Sequence, residues 1–133
     1  MRGGITTVIR NHETGYQWEK YGCRWLESYG DQDAREKITS FAKAGPAFRK
    51  LLPPYDLVHI QTAHAYSFLR KSLFLYRARA AGHKTILHIH APSPEQLAST
   101  KPAWLLRRTL EAADLVVVLA EFWKREVLML APN

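Results

Sequence analysis

His88 and His90 stand two residues apart in the run Ile86-Leu87-His88-Ile89-His90. Side chains alternate along a strand, so the two imidazoles share a face, as paired metal ligands do. A hydrolytic metal centre needs further carboxylate or imidazole ligands, and few acids lie near the predicted strand ends, which points away from a metal-dependent hydrolase. His90, beside the loop at Ala91-Pro92, stands where a side chain can reach a substrate. A histidine there can hydrogen-bond a hydroxyl and orient the reacting carbon without acting as the base. His59 and His88 fall inside strands and read as hydrogen-bonded core histidines. At the amino terminus Gly3 and Gly4 precede a helix, where bare backbone N–H groups and the positive end of the dipole can approach a phosphate. Arg70 and Lys71, with His64 and Ser67 in the loop and cap before them, offer contacts to a phosphate-bearing acceptor or an anionic lipid surface. A solvated helix face accounts for the two cations equally well.

These residues need elements to hold them. Short apolar runs at 57–60, 85–90 and 115–120 follow turn or breaker signals and read as strands buried under helices. A weaker alternation at 23–29 is a fourth candidate. Helical periodicity is clearest at 67–81, with Ser67 as N-cap and Gly82 as the stop; Phe68, Leu69, Leu73, Tyr76 and Ala80 should face the sheet. Further helices are expected at 5–20, at 33–52 with a disturbance at Gly45-Pro46, at 102–112 and at 121–130, while Pro92 and Pro94 make the stretch after His90 a loop. Strand, helix and strand in this order imply an α/β fold: a Rossmann-like parallel sheet in a three-layer arrangement, helices on both faces. Its ligands bind at the carboxyl ends of the strands. Those ends carry His59, Gln61 and His64, then His88, His90 and Ala91, then Ala120 and Glu121.

Composition bounds what such a fold can do. The chain has 133 residues, 47% of them apolar and 23% charged, which fits one globular domain rather than a disordered tail. Its longest apolar run, 115–120, is far short of the roughly 20 residues that cross a bilayer. The first residues lack the apolar stretch of a secretory signal, so the expected compartment is the cytoplasm, including the inner face of the plasma membrane. Cys23 is the sole cysteine, which excludes an internal disulfide and a thiolate zinc cage. A net charge of +7 attracts anionic partners. The cations are dispersed, without a basic tail or base-reading motif, so nucleic acid is not the expected partner.

Five segments occur in a telling order: Gly3-Gly4-Ile5-Thr6-Thr7-Val8, Tyr55-Asp56-Leu57-Val58-His59-Ile60, Ser67-Phe68-Leu69-Arg70-Lys71, Ile86-Leu87-His88-Ile89-His90, and Ala113-Asp114-Leu115-Val116-Val117-Val118-Leu119. The succession, which covers nearly the whole chain, resembles the amino-terminal, acceptor-side domain of family-4 GT-B glycosyltransferases of the kind that build bacterial surface polysaccharides. The resemblance implies transfer of a sugar from a nucleotide-sugar donor to a polysaccharide or lipid-linked acceptor. It implies retention of configuration and requires no metal or other cofactor. In that family the glycine loop closes on the interdomain cleft, and the residue matching His90 faces the transferred sugar.

The family also has a strand before the glycine pair, whereas this chain starts almost at the pair. It carries its donor site, a basic pair and two glutamates separated by seven residues, in a carboxyl-terminal domain. Glu19 and Glu27 have that spacing by accident, in the wrong domain. Ala91-Pro92 replaces the family's usual glycine after the histidine. The expectation is therefore a single partial domain over residues 1–133, lacking its first strand and its donor half. It would be inactive unless a second polypeptide supplies that half. The competing reading is a non-enzymatic basic module for a membrane surface or nucleic acid.

Overall fold

The structure is a computed structural model and describes residues 4–28, 34–63, 65–91 and 93–132. The chain divides into two compact units, residues 1–53 and 54–133.

The first unit is helical. Helices α1 (Gly4–Glu13) and α2 (Tyr16–Lys20) pack on each other, and α3 (Ala34–Leu51) follows. The single helix expected at 5–20 is broken at Thr14-Gly15. There the Thr14 hydroxyl donates back to the Asn11 carbonyl at 2.8 Å and Gly15 N–H to that of His12 at 2.9 Å. Gly15 then turns extended (φ −85°, ψ 144°) as the N-cap of α2. The strand expected at 23–29 does not form. Residues 23–28 carry no strand pairing, and Tyr29 lies outside the described residues. Alternation without a neighbouring strand has no ladder to close, and Trp25 instead donates its ring N–H to Glu13 at 2.6 Å. Pro46 sits inside α3, which runs through it without a break.

The second unit is the α/β half. Strands β1 (Leu57–Thr62), β2 (Lys84–Ile89) and β3 (Leu115–Val118) form a parallel sheet in the order β1-β2-β3. Around it lie α4 (Ala65–Ala80), α5 (Pro94–Ala98), α6 (Ala103–Ala112) and α7 (Glu121–Leu130). This is the Rossmann-like parallel α/β architecture the apolar runs imply. The register pairs Ile60 with Leu87 and Thr62 with Ile89, and then Leu87 with Val116 and Ile89 with Val118. Ile60, Thr62, Thr85, Leu87 and Ile89 are all buried. They make the covered face of the sheet, on which α4 packs; α4 also packs on α6.

The α4 stripe differs from its sequence reading. The buried residues are Phe68, Ser72, Phe74, Leu75 and Ala78, while Leu73 is 45% exposed and Ala80 is exposed. A helix with two partners buries a broader arc than one laid on a sheet alone, and the Tyr76 hydroxyl lies 3.3 Å from Thr109 of α6. The helix begins at Ala65, ahead of the expected cap at Ser67. Its end follows the glycine signal. Gly82 is left-handed (φ +87°), with Gly82 N–H donating to Arg79 and His83 N–H to Ala78, the paired bonds of a Schellman stop. The proline stretch after His90 holds a short helix. Ser93 caps α5 by accepting from Gln96 N–H, and a proline in the first turn costs nothing because its missing N–H has no helical partner there.

Candidate active-site edge

The carboxyl ends of β1 and β2 gather the chemistry-bearing residues. Register sets Gln61 opposite His88, and the His90 N–H, just past β2, donates to the Thr62 carbonyl at 2.7 Å. One face of this edge therefore carries His59, Gln61, His88 and His90 together. The rings agree. His59 and His88 stack with centroids 5.4 Å apart and planes within 9°, and His88 and His90 lie 4.1 Å apart, tilted by 34°. His59 is exposed and His88 half-buried, so neither is a core histidine. The core lies on the other face, which the alternation of β1 and β2 assigns to Ile60, Thr62, Leu87 and Ile89.

Lys71, in the second turn of α4, reaches back to this edge and its ammonium donates to the Gln61 carbonyl. Burial, then the neighbouring Arg70, push the Lys71 ammonium down to about 8. His90 is pushed down to about 4, first by its own burial and then by His88, His59 and Lys71. At neutral pH it is a neutral imidazole and a weak base, suited to hydrogen bonding and positioning. Oε1 of Gln61, a residue only 9% exposed, and Nε2 of His90 are buried without a hydrogen-bond partner in the structure.

Ser67 is brought close, but as part of the turn. Its hydroxyl lies 3.5 Å from both the Thr62 hydroxyl and the Ala63 N–H, at the outer limit of hydrogen bonding. Arg70 is half-buried beside Lys71. Gly4 opens α1 in the first unit, exposed and with open space where a Cβ would stand. Gly3 and His64 lie outside the described residues. Among the described residues no cluster of three or more histidine, cysteine or acidic side chains could hold a metal ion.

Sequence reasoning placed Gln61 at a strand end without selecting it. Its residue type gives no sign that its carbonyl oxygen would be buried without a partner. Nor did it select Asp114, which organises the opposite edge of the sheet. The Asp114 carboxylate accepts from the Thr85 N–H and hydroxyl, each at 2.9 Å, and pairs with Arg79 and Lys84, each at 3.1 Å. These donors, led by the Thr85 N–H, hold its carboxyl at about 2. The group ties the start of β2 to the start of β3 and to the end of α4.

Two hollows lie away from the histidine edge. One of about 430 Å³ is lined by residues of the first unit including Trp18, Cys23 and Trp25. The other, about 320 Å³, lies between β3, α7 and the end of α6. Neither contains a residue of the histidine edge.

Neither the curated proteins nor the solved structures yield a match to this chain. The family model described as "Glycosyl transferase 4-like domain" matches residues 4–131, a span that takes in both units and every residue of the histidine edge. The chain belongs to the glycosyl transferase 4-like domain family.

Proposed function

We propose that this chain is the acceptor-side half of a retaining GT-B glycosyltransferase, which moves a sugar from a nucleotide-sugar donor to a polysaccharide or lipid-linked acceptor. Family membership supports a glycosyltransferase module. The observation that carries the acceptor-side reading is the neutral His90 at the carboxyl end of a parallel strand, with the atom Nε2 buried and unpaired. Ligands of open α/β sheets bind at such ends. An imidazole held neutral can hydrogen-bond a hydroxyl while the departing diphosphate takes the negative charge elsewhere.

In this reading His90 positions the reacting sugar. Gly3 and Gly4 serve the diphosphate through backbone N–H groups, and His64, Ser67, Arg70 and Lys71 contact the acceptor. The donor nucleotide is held by residues outside these 133, in the same polypeptide or another. The module works at the cytoplasmic side, beside the membrane when the acceptor is lipid-linked. The test is sugar transfer by the chain combined with a family-matched carboxyl-terminal domain, across a panel of nucleotide sugars. Transfer that His90→Ala lowers by about 10²-fold, the lower range for a lost positioning or proton-handling group, supports the reading. Absence of both transfer and acceptor binding overturns it.

The charge of +7 favours a second reading, a basic module for an anionic membrane surface without catalysis. No helix among the described residues is long and apolar enough to cross a membrane, so such binding would be peripheral.

A further inference from the structure

Gln61 and His90 are adjacent on one face of the sheet edge, through the Gln61–His88 register and the His88–His90 ring contact. Each holds a buried polar atom without a partner. A buried acceptor left unpaired is costly, and native structures pair nearly all of them with protein, water or ligand. The two atoms also define what would satisfy them. Oε1 of Gln61 can only accept. His90 is neutral, so its Nε2 accepts or donates according to tautomer. An ionised phosphate or carboxylate has only acceptors and would be met at Gln61 only by turning the amide over from the orientation it holds. A single hydroxyl, which donates and accepts together, fits both atoms when Nε2 carries the proton, and two neighbouring sugar hydroxyls fit them when it does not. The nearest cation does not reverse this preference, because the Lys71 ammonium is bonded to the Gln61 main-chain carbonyl.

We infer that Gln61 and His90 form a subsite for the neutral hydroxyls of a sugar ring, with Gln61 accepting from a ring hydroxyl and so setting which sugar is admitted. This deepens the acceptor-side reading above and rests on it. The subsite selects an uncharged face of the sugar, and any phosphate of the substrate lies away from it. A site built to pair with a hydroxyl discriminates strongly against the analogue that lacks it, because its own polar group is then left buried and unpaired.

The experiment is ligand-observed NMR on the full 133-residue chain. The probes are methyl hexopyranosides, their monodeoxy counterparts and inorganic phosphate, with Gln61→Leu and Gln61→Glu as variants. At least one methyl hexopyranoside is expected to bind. Gln61→Leu should weaken it about tenfold or more, and one monodeoxy sugar should bind the unaltered chain weaker by a similar factor. That deoxy sugar should lose little further on Gln61→Leu, since both changes remove the same contact. Gln61→Glu, which keeps an acceptor, should retain binding better than Gln61→Leu. Without ligand, Gln61→Leu should melt no lower than the unaltered chain. Sugar binding that Gln61→Leu leaves unchanged, or inorganic phosphate competing at the same site, overturns the subsite and leaves the acceptor-side reading standing. If no sugar binds the unaltered chain, the subsite is overturned, and the transfer assay with the carboxyl-terminal domain decides the acceptor-side reading. Should Gln61→Leu not fold, the deoxy series on the unaltered chain decides: equal binding of every deoxy sugar overturns the proposal.

Discussion

At the scale of single residues, the histidine edge makes a signed prediction about pH. His90 holds its proton less well folded, at about 4, than an unfolded histidine does near 6.5. The unfolded chain therefore takes the proton first, and stability falls as pH drops from about 6.5 to about 4. His88, His59 and Lys71 each add to the depression that burial imposes on this ring. His90→Gln should flatten thermal stability over that window. NMR titration of the His90 imidazole should give a midpoint well below 6, and a midpoint at or above 6.5 would contradict the buried, neutral ring. Asp114 has the opposite chemistry and its own window. Its carboxyl is held at about 2 by the Thr85 and Lys84 donors, so its contribution is complete above pH 4 and is lost as pH falls from about 4 to 2. Asp114→Asn should lower the melting temperature by a similar amount throughout pH 5 to 8 and remove that acid limb.

At the scale of elements, two glycines separate a backbone requirement from a space requirement. A Cβ at Gly82 would meet nothing within 4 Å, but its φ is +87°. Gly82→Ala should cost about 1–2 kcal/mol from the left-handed conformation alone, visible as a lower melting temperature. A Cβ at Gly4 also meets nothing, and its φ is ordinary. Gly4→Ala should leave the fold intact, so any loss of transfer in that variant would report on close approach by the ligand rather than on stability. Leu75, fully buried in α4, gives the core counterpart: Leu75→Ala should cost about 2–5 kcal/mol by denaturant unfolding.

Much of this level was legible in the sequence. The three apolar runs became the three strands because a strand covered by helices must be apolar along its length. The ends of α4 and α7 followed from Gly82 and from the Glu121–Leu130 periodicity. What failed was anything that depended on a partner. The alternation at 23–28 looked like a strand but found no neighbour. Pro94 looked like a breaker but was the first turn of a capped helix. The stripe on α4 shifted because α6 shares that helix with the sheet. The site was legible in the same unequal way. Period-two spacing put His88 and His90 on one face. The stacking of His59, the return of Lys71 from α4 and the unpaired oxygen of Gln61 arise from parallel register, which no local pattern encodes.

At the scale of the whole molecule, the two functional readings part over how binding responds to salt. The exposed cations are spread over both units and several elements, among them Lys20, Arg49, Arg77, Lys84, Arg107 and Lys124. Binding that relies on such a field weakens steeply as salt rises, because the Debye length shrinks from about 10 Å at 0.1 M towards 3 Å at 1 M. Hydroxyls held by Gln61 and a neutral His90 exchange no charge and release no counterions, so their affinity should change less than about twofold between 50 and 300 mM salt, against the steep fall expected for a polyvalent electrostatic contact. Vesicles containing phosphatidylserine should bind at 50 mM salt and lose at least about tenfold by 300 mM, at roughly 1 kcal/mol for each basic residue held near the surface. Both responses together describe an acceptor-side domain that meets its substrate at a membrane, with charge bringing the chain to the surface and the histidine edge reading the sugar. Vesicle binding that falls with salt while no sugar binds at any salt would reduce the chain to the basic module, and the histidine edge would then need another ligand.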